Sequence, residues 1–409
     1  MNIFKNHGPL TFVAAMSVVL AGIVLGLSST ASAQSNLVYV GSNIGSVPNM
    51  NSVFVYANDG AGNLTQITGS PFLTNGTGWY DPTLTTSSLD ADHAVIIDPT
   101  GSYLYTVNSH SNTISSFSIA AGGALTLIST TPYLSGGKEP VSLALSSDVL
   151  SNGSSVLSVG NKGQDPNQPT GTSSIQSLTG NGTMTAVHNG KINFASGDYI
   201  ASVNTTPLAP KYVFGVQLLG GSEIFTYKIS NKGKLEQVSE VGPPATGDLL
   251  LGMAFHPTQH VAYVGVPNGG AIAIYKYSAT GTLNLAGTVA DAGNAVCWFA
   301  INSAGTRLYS VENGSGTVSV YDITNATAPV FLQSLLLSNQ PQAPTNVAID
   351  PTGNFAYVIG GSNAGDQGAA LLHVLTINQT TGDLSETVPA VPLNIAQGEH
   401  ASGLATLLK

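Results

Sequence analysis

Residues 98–127, DPTGSYLYTVNSHSNTISSFSIAAGGALTL, decide the fold. The stretch opens on a Pro-Thr-Gly turn, passes through the aromatic-rich run 103–107 and a polar loop at 108–112, then gives a second run at 113–119 and a Gly-rich turn that closes on Leu125. Runs of this length, bounded by Gly, Pro, Asn and Ser, predict strands joined by tight turns. Variants recur along the chain. Aligned on Phe117, the column reads Tyr56, Phe117, Leu178, Tyr227, Tyr275, Tyr321 and Leu375, with neighbours 46 to 61 residues apart. That spacing is the period of propeller blades, so the chain is expected to be all-β, a seven-bladed β-propeller.

The blades are predicted at 37–72, 92–133, 139–189, 198–240, 249–289, 295–337 and 343–391. The chain continues past the seventh with HASGLATLL at 400–408, which reads as an innermost strand without partners, while the first blade lacks such a strand. Residues 398–408 are therefore expected to complete the first blade and close the ring, which removes the open edges that invite aggregation. The apolar run 94–97 predicts a first strand buried on both faces. The connector 73–89 reads as a surface loop. A repeated aromatic position with an apolar partner at period two predicts packing between blades rather than a binding stripe. The Pro-Thr-Gly segments are turns that need glycine at positive φ, not phosphate loops.

Only 8% of the 409 residues are charged, the net charge is −10, and Arg307 is the single arginine. A chain without a basic surface does not suit phosphate backbones, so nucleic acid and anionic membranes are excluded as expected partners. Lys5, the apolar run 11–27 and Ala31-Ser32-Ala33 give residues 1–33 the pattern of a signal peptide, with an uncleaved anchor as the competing reading. No other stretch has the pattern of a membrane-spanning helix. One propeller domain over 34–409, monomeric and either periplasmic or secreted, is expected. Cys297, the only cysteine, has no disulfide partner in the chain and reads as a buried thiol beside Trp298.

The segments DPTGSYLYTVNSHSNTISSFSI, AFHPTQHVAYVGV followed by AIAIYKYSATGTL, RLYSVENGSGTVSVYDI and AIDPTGNFAYVIG carry a family resemblance. The chain resembles the seven-bladed propeller lactonases, a family that includes propeller-type 6-phosphogluconolactonase and carboxymuconate-cyclizing enzymes, and the related propellers with a Tyr-Val-Thr-Asn repeat. In catalytic members, a Pro-Arg-His segment leads into the first strand of the fifth blade and an Asn-Glu pair ends its second. The corresponding stretches here are DLLLG at 248–252 and Val266-Pro267-Asn268, and His256 belongs to the turn FHPTQ. The family's catalytic residues are therefore not carried over to any position. A mechanism that holds an acidic substrate between two guanidinium groups is excluded by the single arginine.

Strand alternation puts the blade connectors and the loops between second and third strands on one rim, and the loops at 42–51, 164–173 and 361–369 are enlarged there. Binding is expected on that loop-rich rim. The candidates near its channel mouth are Asp92, His93, Lys138, Glu139, Asp198, Asp248, Trp298, Glu312, Glu399 and His400. A ligand-binding site for a small molecule, saccharide or protein would use Asp92, Lys138, Glu139, Asp198, Asp248, Trp298 and Glu399. The alternative is lactone hydrolysis, with His93 or His400 paired to Glu312 or Glu399 as a general base. Asp92, Asp198, Asp248 and Glu399 form a candidate calcium set of hard oxygen ligands; otherwise no cofactor is expected. Against each reading stands that of solvated loop residues, because no spacing enforces the pairing.

Overall fold

Asp98 shows how the repeated turn builds two strands. Its Oδ1 accepts the backbone N–H groups of Ser102 (2.8 Å) and Tyr103 (2.6 Å), and Gly101 takes φ 66°, a left-handed conformation that side chains with a Cβ avoid. Asn302 repeats the grip on Thr306 (2.8 Å) and Arg307 (2.9 Å), and Asp350 holds Phe355 (3.0 Å). Each turn delivers a first strand antiparallel to its second.

The structure is a computed structural model that describes residues 36–79, 91–163, 172–361, 370–396 and 398–409. Ser35–Lys409 form one compact unit. Seven antiparallel sheets of four or five strands make a β-propeller, with no helix among the described residues. The second blade runs Val95–Ile97, Tyr103–Asn108, Thr113–Ile119 and Leu125–Leu127 from the axis outward. The innermost strands of the other blades are Pro140–Ser146, Tyr199–Thr205, Met253–Phe255, Val296–Ile301, Asn346–Ile349 and, for the first blade, Leu404–Leu408. That last strand pairs with Asn36–Gly41, Val40 opposite Leu404 and Asn36 opposite Leu408. The two ends of the chain thus share one sheet, as the unpartnered tail predicted.

The core lies between the sheets. Each residue of the recurring column belongs to an apolar cluster that joins its own blade to the preceding one: Tyr56 packs with Tyr357, Phe117 with Val55, Tyr321 with Ile274 and Leu375 with Val320. All seven column residues are at most 2% exposed, which makes the column packing and removes it from any surface stripe.

A second repeated position, on the neighbouring strand, reinforces the same joints. The hydroxyls of Tyr39, Tyr263 and Tyr309 donate to the carbonyls of Gly123 (3.2 Å), Ala326 (2.8 Å) and Gly382 (3.1 Å) in the next blade's outer turn. Tyr105 and Tyr357 accept there instead, from Gly182 N (2.9 Å) and Asn58 Nδ2 (2.7 Å). Burial pushes the Tyr309 phenol up to about 12, so it stays a donor at any physiological pH. Tyr309→Phe is expected to cost about 1 kcal/mol in urea denaturation, because the buried Gly382 carbonyl loses its partner. An unchanged midpoint would mean that this bond adds nothing to the joint.

Two expectations are corrected. The 94–97 run is not buried on both faces: Ile96 and Ile97, on opposite faces, are both half-buried, because this innermost strand is the sheet's edge beside a central channel. The connector after residue 73 is not a surface loop as far as it is described, since Thr74, Thr77 and Trp79 are 0%, 6% and 4% exposed. The expected leader at 1–33 and most of the loops at 164–173 and 361–369 lie outside the described residues.

Candidate functional site in the central channel

The innermost strands change environment along their length. Val95, Val296 and Asn346 begin their strands buried, whereas Ile97, Ile301 and Ile349 end theirs half-buried, and the last strand runs from buried Leu404 to half-buried Leu408. These strands all run from the loop-rich rim to the rim of the Pro-Thr-Gly turns. At the loop-rich end, Trp79, Tyr199, Leu251 and Trp298 are all under 5% exposed. The half-buried ends of these strands lie toward the turn-bearing rim.

A cavity of about 340 Å³ lies against the innermost strands of blades two to six. Ile96, Leu143, Val203, Met253, Phe255 and Phe299 make up much of its wall, and Pro99 and Pro207 stand on the turn side. Apart from His93, Asn204 and Thr205, every lining side chain is apolar.

His93 is the chemically distinctive group on that wall. It sits just before the second blade's first strand at φ 56°, a left-handed backbone that non-glycine residues seldom take. Its carbonyl accepts Leu143 N (3.1 Å), which ties it to the third blade. Its Nδ1 is buried and lies 3.3 Å from Asp92 Oδ2, while 43% of its side chain is exposed. Among the described residues, Nε2 has no hydrogen-bond partner. Asp92 is 8% exposed and takes His93 N on Oδ1 (2.9 Å). Burial raises the Asp92 carboxyl above the usual range, against the lowering effects of the His93 charge and N–H. Among the described residues, neither Nδ1 nor Asp92 Oδ2 makes a hydrogen bond, so the two lie close without fixing the tautomer of the ring; base action at Nε2 requires the proton on Nδ1, toward Asp92.

The other predicted residues are held apart from His93. Glu399 accepts Gly45 N (2.8 Å), Ser46 N (3.0 Å) and the Ser46 hydroxyl, and so fixes the loop that precedes the first blade's third strand. Glu312 is fully buried, and its carboxyl takes Ser310 Oγ (2.5 Å) and Thr317 Oγ1 (2.8 Å). Among the described residues, the hydrogen bonds given for these two glutamates go to hydroxyls and backbone amides, while His93 faces Asp92. The His400 carbonyl accepts Asn43 Nδ2 (3.0 Å). Asp198 and Asp248 cap their own turns, taking Ala195 N and Ala245 N at 3.0 Å each. Among the described residues, no three acidic, His or Cys side chains come close enough to share an ion, so Asp92, Asp198, Asp248 and Glu399 do not converge on calcium. Each is engaged with its own loop or the one beside it.

Lys138 is exposed and lines a separate surface cavity with Lys191. Glu139 N donates to Asn112 Oδ1 (2.7 Å), and its carbonyl accepts Lys162 N (2.8 Å). Trp298 lies over Gly252, where a Cβ would stand 2.4 Å from the indole. In the stretch that replaces the family's Asn-Glu pair, Asn268 takes Leu249 N (2.7 Å) and donates to Gly247 O (2.8 Å), a purely local clamp. His256 is 2% exposed and joins its turn to Gly305 O (2.9 Å).

Reading the sequence missed Lys162 and Trp79. Lys162 is fully buried, with Nζ 4.4 Å from the Tyr199 ring centroid and 5.4 Å from that of Trp79. These cation–π contacts hold the two rings about one ammonium. Lys162 stands just past a second strand, the kind of position that singled out Glu312, so the same rule applied to the third blade would have found it. Trp79 had no such signal, being one aromatic residue in a Gly- and Thr-rich connector.

Residues 200–396, essentially blades four to seven, match the family model described as Lactonase, 7-bladed beta-propeller. No curated protein matches the chain in sequence. Among solved structures, the periplasmic gluconolactonase of Pseudomonas aeruginosa is 17% identical with a TM-score of 0.66, covering 91% of this chain and 99% of its own. A candidate 6-phosphogluconolactonase from Bacteroides fragilis is 17% identical with a TM-score of 0.65, over 93% and 99%. A protein from Lactobacillus plantarum is 16% identical with a TM-score of 0.67, over 91% and 99%. At such identities the likeness to solved structures is one of fold.

Proposed function

Membership of the seven-bladed β-propeller lactonase family, carried by residues 200–396 and by the sevenfold ring itself, is the premise from which we propose that this chain binds a small molecule in its central channel. The observation that carries the reading is the 340 Å³ cavity with an apolar wall and one imidazole on it. That volume lies at the low end for ligand sites, and a few polar groups on an apolar wall are their usual composition. With the leader-like residues 1–33, the proposal is of an exported binding propeller.

Ala254 lines the cavity and is half-buried, so Ala254→Phe fills the space while the strand pairing is kept. Coumarin and glucono-δ-lactone serve as probes in thermal-shift assays. At least one of them is expected to raise the melting temperature of the parent by a few degrees and to leave Ala254→Phe unchanged. An equal response in the variant would put the ligand elsewhere.

The Asp92–His93 pair supports a second reading, lactone hydrolysis. Nε2 takes a proton from water as the water oxygen attacks the lactone carbonyl carbon; the ring C–O bond then breaks, and the proton passes to the departing alkoxide to give the hydroxy acid. Base catalysis of this kind is worth about 10²–10⁴ in rate. His93→Ala should therefore lower turnover of dihydrocoumarin at least a hundredfold. Retained turnover would remove His93 from the chemistry.

A further inference from the structure

We infer that the channel takes a neutral, largely apolar ring compound bearing one hydrogen-bonding oxygen, rather than a phosphorylated, acidic or polyhydroxylated sugar. The inference rests on the channel being the binding site, as proposed above. Among the described residues, no Lys, Arg, Asp or Glu lines the cavity, so an anion entering it would lose its hydration with no cation there to replace it. Lys211 and Arg307 are already committed. Lys211, next to the turn-side residue Pro207 in the fold, gives its ammonium to the carbonyls of Thr206 (3.0 Å) and Pro207 (2.5 Å). Arg307 lies on Asp322 (3.3 Å) and Thr381 O (2.7 Å).

The polar part of the wall is small, and two of its three residues are partly engaged. Asn204 Nδ2 donates to Ser202 Oγ (3.0 Å), and Thr205 Oγ1 shares a hydrogen bond with Ser146 Oγ (2.7 Å). A sugar with several hydroxyls would find almost nothing to replace its bonds to water, a loss that apolar walls turn into rejection. His93 Nε2 remains, and in the tautomer that carries the ring proton there it donates a single hydrogen bond to a carbonyl or ether oxygen. Ile96, Leu143, Met253, Phe255 and Phe299 would cover the apolar faces of a one- or two-ring molecule.

Isothermal titration of the full chain with coumarin, coumarin-3-carboxylate and glucono-δ-lactone tests the class. Coumarin is expected to bind at least tenfold more tightly than its carboxylate, with no measurable binding of the sugar lactone, and its affinity should fall in Ala254→Phe. If glucono-δ-lactone or the carboxylate binds as tightly as coumarin and loses affinity in Ala254→Phe, the channel site stands and the ligand class is overturned. If none of the three binds, or if binding is indifferent to Ala254→Phe, both the class and the channel site fail.

Discussion

Removing residues 404–409 is expected to abolish cooperative unfolding and leave an aggregating chain. The deleted strand holds three blades at once. It pairs with Asn36–Gly41 over five register positions; Thr406 Oγ1 donates to Ile349 O of the seventh blade (2.8 Å), and Lys409 Nζ donates to Ile119 O of the second (3.0 Å). The Leu407 side chain also packs against Gly101, where an added Cβ would come within 2.8 Å of it. Without the strand, Leu37, Val38, Tyr39 and Val40, all 0% exposed, would present an unpaired apolar edge, and unpaired edges template association. The loss combines several backbone hydrogen bonds at about 1 kcal/mol each with the burial of Leu404 at about 1.5–3 kcal/mol and the partial burial of Leu407 and Leu408, comparable to the whole stability of a domain. Urea denaturation followed by tyrosine fluorescence, with light scattering for aggregation, would measure it. A truncated chain that still unfolds in one transition at a nearly unchanged midpoint would show that the ring does not depend on its closure.

The second large effect is a dependence of stability on pH that comes from Glu312. Burial pushes its carboxyl from the ordinary 4.5 up to about 8, with Asp291 adding to the rise and the hydrogen bonds from Ser310 and Thr317 opposing it. The folded chain therefore holds a proton between those two values that the unfolded chain has released. Stability is greatest below the unfolded pKa, falls as pH rises through about 8, and levels off beyond it. A tenfold change in proton affinity corresponds to about 1.4 kcal/mol, so the loss is on the order of 3–5 kcal/mol. Glu312→Gln keeps an acceptor for Ser310 and Thr317 and carries no titrating proton. The difference in unfolding free energy between parent and variant should favour the variant increasingly from pH 5 to pH 9. Parallel curves would mean that Glu312 is charged in the folded protein.

Much of the architecture could be read from local signals. The turn residues Asp98, Gly101 and Asp350 and the column through Phe117 are short-range patterns, and their repetition revealed the blade count. The tail's role followed because HASGLATLL had the pattern of a strand with no partner nearby in sequence. The tyrosine position through Tyr39, Tyr263 and Tyr309 is as regular, but its hydroxyls bond to turns in the next blade, and nothing in one blade's pattern announces that reach.

The candidate site was less legible. The sequence marks both His93 and Asp92, the one as a base and the other as a rim ligand, but suggests a glutamate as the partner of the histidine. Glu312 and Glu399 are near the same rim in chain position, but each is satisfied by hydroxyls or amides of its own or a neighbouring loop, which spacing along the chain does not reveal. Lys162 and Trp79 come from different blades and meet only in the folded ring.

The order of strands and turns, the sevenfold repeat and the need for a closing strand are thus properties of the sequence alone, because alternation and turn chemistry act over a few residues and are repeated at each blade. Tertiary structure decided which side chains wall the channel and which partner each buried charge has. The axis is built from seven strands far apart along the chain, and the bulk and polarity of their side chains compete for the same space only once all seven have come together.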